Sequence, residues 1–340
     1  MGALVDRIGP KKVIIGGLLL NSAAAFSLSQ VQTHFQAIIV MTGLNIAGQA
    51  IWPSQSVILT RLTPERDRSK IFGFNFMLLN LGLGVGGLLS SLIIQRGDLL
   101  SFQIMYWVDA GTFLLYLLIV LTLHGEHVNK YIPKENEPKT GSYRDLFEIK
   151  PLMFLGIAGI ILFTFGYGTI QAGIPVFATQ FLGLSPKWLG IIFGVNTLSI
   201  VIFQPLVMRV IDKYSKYAAL IAVGLVWALS WVFVGIAPYL PLFASGIALS
   251  LSQFIFAVGE MIQAPTIPTL ANELAPEHIR GRANSWMSLQ WSVSGVLGPA
   301  ITGLMLGADL ATAWIITMFI GCFLSIPLFL AMKRAAASEV

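Results

Sequence analysis

The chain has 340 residues, of which 56% are hydrophobic and only 11% charged, with a mean hydropathy of +0.78. A soluble domain carries about 25% charged residues, so a water-facing globule is excluded, and the same numbers exclude a disordered chain. The net charge of +5 sits in short connectors between apolar runs, which points to membrane topology and away from nucleic acid, and a single cysteine, Cys322, excludes a disulfide framework or a Cys-rich metal site.

In chain order, residues 1–12 are charged around Asp6, Arg7, Lys11 and Lys12, and no signal peptide is visible there. Apolar stretches long enough to span a bilayer follow at about 13–33, 35–60, 71–95 and 99–124. A polar segment at 125–150 separates these from six more, at about 151–176, 188–208, 217–237, 241–270, 283–307 and 310–332. The runs are apolar on all sides and show no alternation. They therefore read as membrane helices rather than barrel strands, because a helix satisfies its backbone within the segment. The fold class expected is an all-α polytopic membrane protein of about ten spans in two bundles. The expected division is 1–124, a cytoplasmic linker at 125–150, and 151–340.

Nineteen of the 21 Lys and Arg residues fall at the ends of the chain and in every second connector; Arg96 and Lys187 lie on the other side. The positive-inside rule then places both termini and the linker in the cytoplasm of a multi-pass cell-membrane protein. His124 and His127 in the linker have the spacing of a helical metal pair, but no further ligands lie nearby, and no metal or cofactor is expected.

The chain repeats itself at a shift of 212 residues. Pro53 falls on Pro265, Leu62 on Leu274, Pro64 on Pro276, Glu65 on Glu277, Arg68 on Arg280 and Gly86 on Gly298, without a gap. Each copy reads as a span, a basic loop and a span in one orientation, which is the pattern of parallel repeats in transporters.

Three motifs carry a family resemblance. Gly2, Asp6, Arg7, Gly9 and Lys11, followed by Lys12, resemble the signature loop between the second and third helices of the major facilitator superfamily, with Pro10 in place of a basic residue. Asp212-Lys213 after Gln204-Pro205 is similar to a degraded second copy of that loop. Gly73, Gly82 and Gly86 resemble the family's antiporter motif in its fifth helix, with Gly87 and Ser90-Ser91 as departures. Gly259-Glu260 to Pro265, followed by Ala275-Pro276 and Arg280-Gly281-Arg282, is similar to the tenth helix and loop of its bacterial drug-exporter branches.

The resemblance spans the chain as the third to twelfth of twelve helices, the first two having no counterpart, and the arginine usual in the fourth helix is also missing. It implies a secondary transporter working by alternating access. The expectation is proton-coupled efflux of small, largely apolar compounds by a monomer. A proton-coupled importer of a metabolite and a non-transporting remnant are the alternatives. On this resemblance the loop around Asp6 closes the cytoplasmic side, and the glycines of the antiporter-like motif pack helices closely.

Ionisable residues inside spans are costly and are functional candidates by default. Glu260, near the middle of its span, reads as a proton carrier or as a structural hydrogen-bonding group. Asp109, in the outer half of its own span, reads as a second coupling candidate or a local cap. Asn45, Gln49, Asn75, Asn80, Gln171, Asn196, Gln253 and Gln263 are candidates to line a substrate cavity. No Ser/His/Asp set and no phosphate loop is present. The glycines at 82–87 mimic a dinucleotide fingerprint, but no strand precedes them.

Overall fold

A computed structural model describes residues 2–93, 98–124 and 142–338. Arg96 and most of the expected linker, with His127, lie outside the described residues. The described elements are helices. A short α1 (Gly2–Ile8) leads into α2 (Pro10–Leu28), α3 (His34–Leu62), α4 (Arg68–Ile93) and α5 (Leu99–Thr122). A short α6 (Tyr143–Glu148) lies within the end of the expected linker and is followed by α7 (Lys150–Phe181), α8 (Lys187–Ile211), α9 (Lys216–Ile236), α10 (Leu242–Leu274), α11 (Arg280–Gly307) and α12 (Ala311–Ser338). Among the described residues nine helices are long and apolar enough to cross a membrane, and α4 is a further helix of 26 residues.

Local chemistry sets the helix ends. Gly9 has φ 93°, which a side chain would strain, and it lets the chain turn from α1 into α2, where Pro10 takes the first helical position. Thr33 and Gln36 form a reciprocal capping box at the start of α3, and Asp98 caps α5 by accepting from the Leu100 amide at 3.0 Å. Lys11 closes the other end of α5, donating to the Leu123 carbonyl at 2.6 Å and the Leu121 carbonyl at 3.3 Å.

The 212-residue repeat is visible in these boundaries. Helix α3 ends at Leu62 and α10 at Leu274; short 3-10 turns begin at Glu65 and Glu277; α4 begins at Arg68 and α11 at Arg280.

Two compact units interleave along the chain. The first comprises Met1–Glu65, Gly82–Leu146 and Ala275–Ser288; the second comprises Arg66–Leu81, Phe147–Leu274 and Leu289–Val340. In the first, α2 packs against both α3 and α5. Ile14, Leu18, Ile51, Ile58 and Val120 form its core, and Gly17 allows α2 to approach Ala47 and Ala50 of α3. In the second, α9 packs against α10 and α12, α10 against α8, and α12 against α7. Its core is aromatic: Trp227, Trp231 and Trp314 are fully buried, and the Trp231 and Trp314 rings meet edge to face at 5.0 Å. Large apolar side chains such as Leu83, Val296 and Leu304 are exposed.

Helix α10 contains Pro265, which cannot donate to the Met261 carbonyl one turn back. The Gln204 side chain of α8 donates to that carbonyl at 3.0 Å, so the freed backbone group is satisfied within the unit. Helix α7 contains two π-helical turns, Thr164–Gly168 and Phe177–Phe181. Such turns are rare and mark places where a helix departs from its regular ladder.

Candidate functional site

In the first unit, Gly2 and Asp6 lie four residues apart on one face of α1, against the first turn of α11. A Cβ at Gly2 would collide with the Gly281 carbonyl, and one at Gly281 with Asp6, so both glycines permit the approach. The Asp6 carboxylate accepts from the Gly281 amide at 2.7 Å, the Arg282 amide at 3.2 Å and the Arg282 Nη1 at 2.7 Å. Those amides belong to the turn of a helix that has no internal acceptor for them, and a negative charge there is favoured by the helix dipole. The ion pair is buried on both sides. Burial pushes the Asp6 carboxyl up to about 6, against the pull of the Gly281 amide and Arg282. Around it, Arg61 pairs with Glu277 at 3.3 Å and the Ser56 hydroxyl donates to Asn284 at 2.6 Å. Arg7 is exposed.

In the second unit, Glu260 is buried at 6% exposure near the middle of α10. The Asn196 amide of α8 donates to its carboxylate, and the same amide reaches the Gln253 carbonyl at 3.5 Å. The Tyr167 side chain faces Glu260 from the first π-helical turn of α7. The wall around this polar knot is aromatic. Trp227 stacks on Phe256 with centroids 4.4 Å apart, and Tyr167 meets both edge to face at 5.1 and 5.4 Å. Trp227 donates its indole N–H to the Phe256 carbonyl at 3.0 Å. Gly166 and Gly259 leave room for the Trp227 ring, since a Cβ at either would strike it. The carboxyl is thus held by one amide donor, one facing phenol and apolar walls.

The remaining candidates are dispersed. Asp109 is exposed on α5, while its backbone carbonyl accepts from Thr112. Asn45 and Gln49 are exposed on α3, and Asn45 donates to the Met41 carbonyl of its own helix. Asn75 is half-buried, and Asn80 is buried and donates to the Phe76 carbonyl. Gln171 is exposed, whereas Gln253 and Gln263 are buried on α10. Of this set, the second unit holds Asn75, Asn80, Gln171, Asn196, Gln253, Glu260 and Gln263, and hydrogen bonds join Asn196 to Glu260 and Gln253. At Gly73 a Cβ would meet Met208 and Gln204 of α8; at Gly82, Gly86 and Gly87 nothing stands within 4 Å. Gly73 thus allows a close approach of α4 to α8 within the second unit.

Two residues with direct contacts were not singled out from the sequence as site residues. Arg282 is the cation opposite Asp6, and Tyr167 is the phenol facing Glu260. The Arg-Gly-Arg run hints at the first. The two glycines flanking Tyr167, Gly166 and Gly168, are the trace of the second. Among the described residues no group of three or more His, Cys, Asp or Glu could hold a metal ion.

The model of the Major Facilitator Superfamily matches residues 1–299 and, in a second overlapping match, 182–339. The MFS-type transporter YttB of Bacillus subtilis is 23% identical over 96% of this chain and 79% of its own length. Multidrug resistance protein 1 of the same organism is 23% identical over 91% of this chain and 76% of its own length. The quinolone resistance protein NorA of Staphylococcus aureus is 22% identical over 89% of this chain and 75% of its own. Among solved structures, the Escherichia coli fucose:proton symporter FucP superposes with a TM-score of 0.73 at 15% identity, covering 98% of this chain and 86% of FucP. The human organic anion transporter MFSD10 gives 0.75 at 16%, covering 96% and 79%. Both structures share the fold.

Proposed function

The chain belongs to the major facilitator superfamily, and from that premise we propose that it is a proton-coupled exporter of small, largely apolar compounds. The observation that carries the reading is Glu260: a single carboxyl buried at mid-span, hydrogen-bonded by Asn196, faced by Tyr167 and walled by Trp227 and Phe256. A buried ionisable group in a membrane helix is retained for a purpose, and a proton that binds one conformation better than another shifts the equilibrium between them. The drug-resistance relatives support export as the direction.

In this reading the Asp6–Arg282 contact closes the cytoplasmic side, and its release accompanies opening to that side. The working unit is a monomer of two bundles, 1–124 and 151–340, in the cell membrane with both termini cytoplasmic. FucP, a sugar:proton symporter of the same fold, favours the second reading, a proton-coupled importer.

Inside-out vesicles separate the two readings. With the lumen acidified, an exporter accumulates a small amphipathic dye, and the Glu260→Gln variant does not. Accumulation that is equal in the variant removes Glu260 from the coupling. Loss of dye from preloaded vesicles on acidification identifies an importer.

A further inference from the structure

The short helix α6 presents two side chains to the Asp6–Arg282 pair. The Tyr143 ring lies 5.8 Å from the Arg282 guanidinium carbon, a cation–π distance. The Asp145 carboxylate lies close enough to Arg282 and His278 to feel both charges. The helix is built to hold this pose. Ser142 and Asp145 cap its start reciprocally, the Ser142 amide donating to Asp145 at 2.7 Å and the Asp145 amide to the Ser142 hydroxyl at 3.2 Å. Leu146, one turn on, is fully buried. Arg282 needs such help. Its Nη1 is engaged by Asp6, its buried Nε has no hydrogen-bond partner among the described residues, and the Tyr143 ring contacts its planar group.

We infer that Tyr143 is a positioning residue of the gate: its ring holds the Arg282 guanidinium against Asp6, and α6 must lift from Arg282 before that pair can part. The inference rests on the reading of Asp6–Arg282 as a gate, and the experiment below separates the two. Tyr143 is itself half-exposed, so its ring covers part of Arg282 at the edge of the buried pair. Removing the ring weakens the hold on the guanidinium and opens that edge to water. Tyr143→Leu then loosens the closed state and changes the rate of turnover more than the affinity for substrate, because the ring acts on Arg282 of the gate.

The test is proton-driven dye transport in vesicles with purified variants of matched yield and thermal stability. Tyr143→Phe keeps the ring and is expected to stay within about twofold of wild type. Tyr143→Leu is expected to lower kcat about fivefold with KM little changed, the upper end for a cation–π contact whose ring is partly exposed. Asp6→Asn should be impaired as well, and adding Tyr143→Leu to it should lower kcat no further, because the ring acts through the pair. If Asp6→Asn transports like wild type, the gate reading falls and takes this inference with it. If Asp6→Asn is impaired and Tyr143→Leu is not, the inference falls alone. Equal loss in Tyr143→Phe and Tyr143→Leu also overturns it, since the ring would then not be what matters.

Discussion

At the scale of single residues, Asp6 makes the sharpest prediction. Its carboxyl, engaged with Arg282 and the α11 amides, titrates at about 6, whereas a solvated aspartate titrates near 3.8. The engaged state therefore binds the proton more tightly, and acidification through pH 6 stabilises it; above pH 6 the charged carboxylate carries the desolvation penalty. An infrared band of protonated carboxyl, abolished in Asp6→Asn, should appear with a midpoint near pH 6, and a midpoint near 4 would show that the pair is open to water. Gly9 makes a second prediction. At φ 93° an alanine is strained, and Gly9→Ala should destabilise the α1–α2 junction by about 1–3 kcal/mol, read as a drop in thermal midpoint. Asp6 and Gly9 are legible in the sequence because both stand in a short motif, although the partners of Asp6, Gly281 and Arg282, lie at the other end of the chain. Tyr167 is not, because its relation to Glu260 depends on a π-helical turn that no residue pattern announces.

At the scale of elements, prolines and their partners decide what the spans can do. Met261 would present a bare carbonyl beneath Pro265 if Gln204 did not reach it from α8. Gln204→Leu leaves that buried acceptor unpaired and should cost about 1–3 kcal/mol of stability, measurable by thermal unfolding in detergent; no loss would mean that water or a backbone shift replaces the side chain. The spans were legible from hydropathy because lipid demands apolar length, and α3 and α10 end where the repeat and the basic loops predict. Two kinds of element were not. The extension of α7 to Phe181 passes through π-helical turns, and α6 is too short and polar to register against the linker around it. Its stability comes from a two-residue cap and one buried leucine, which are contacts made by the fold and not by the segment alone.

At the scale of the whole molecule, membership of the superfamily and the repeat at 212 residues describe a chain made of two related halves, each reusing a proline-bearing helix, a Pro-Glu turn and an arginine-led helix. The copies have diverged in use. Around Arg61 and Glu277 the loops meet in an ion pair within one unit, while Glu260 has no carboxylate at the matching position of the first copy, where Gly48 stands. On the proposed reading, coupling falls on the one helix that carries Glu260. The most direct test of that reading is proton movement itself. In proteoliposomes with a pH-sensitive dye in the lumen, adding a transported amphipathic compound should change the lumenal pH with wild-type protein and leave it unchanged with Glu260→Gln. A pH change of full size in the variant, at equal protein density, would contradict the account.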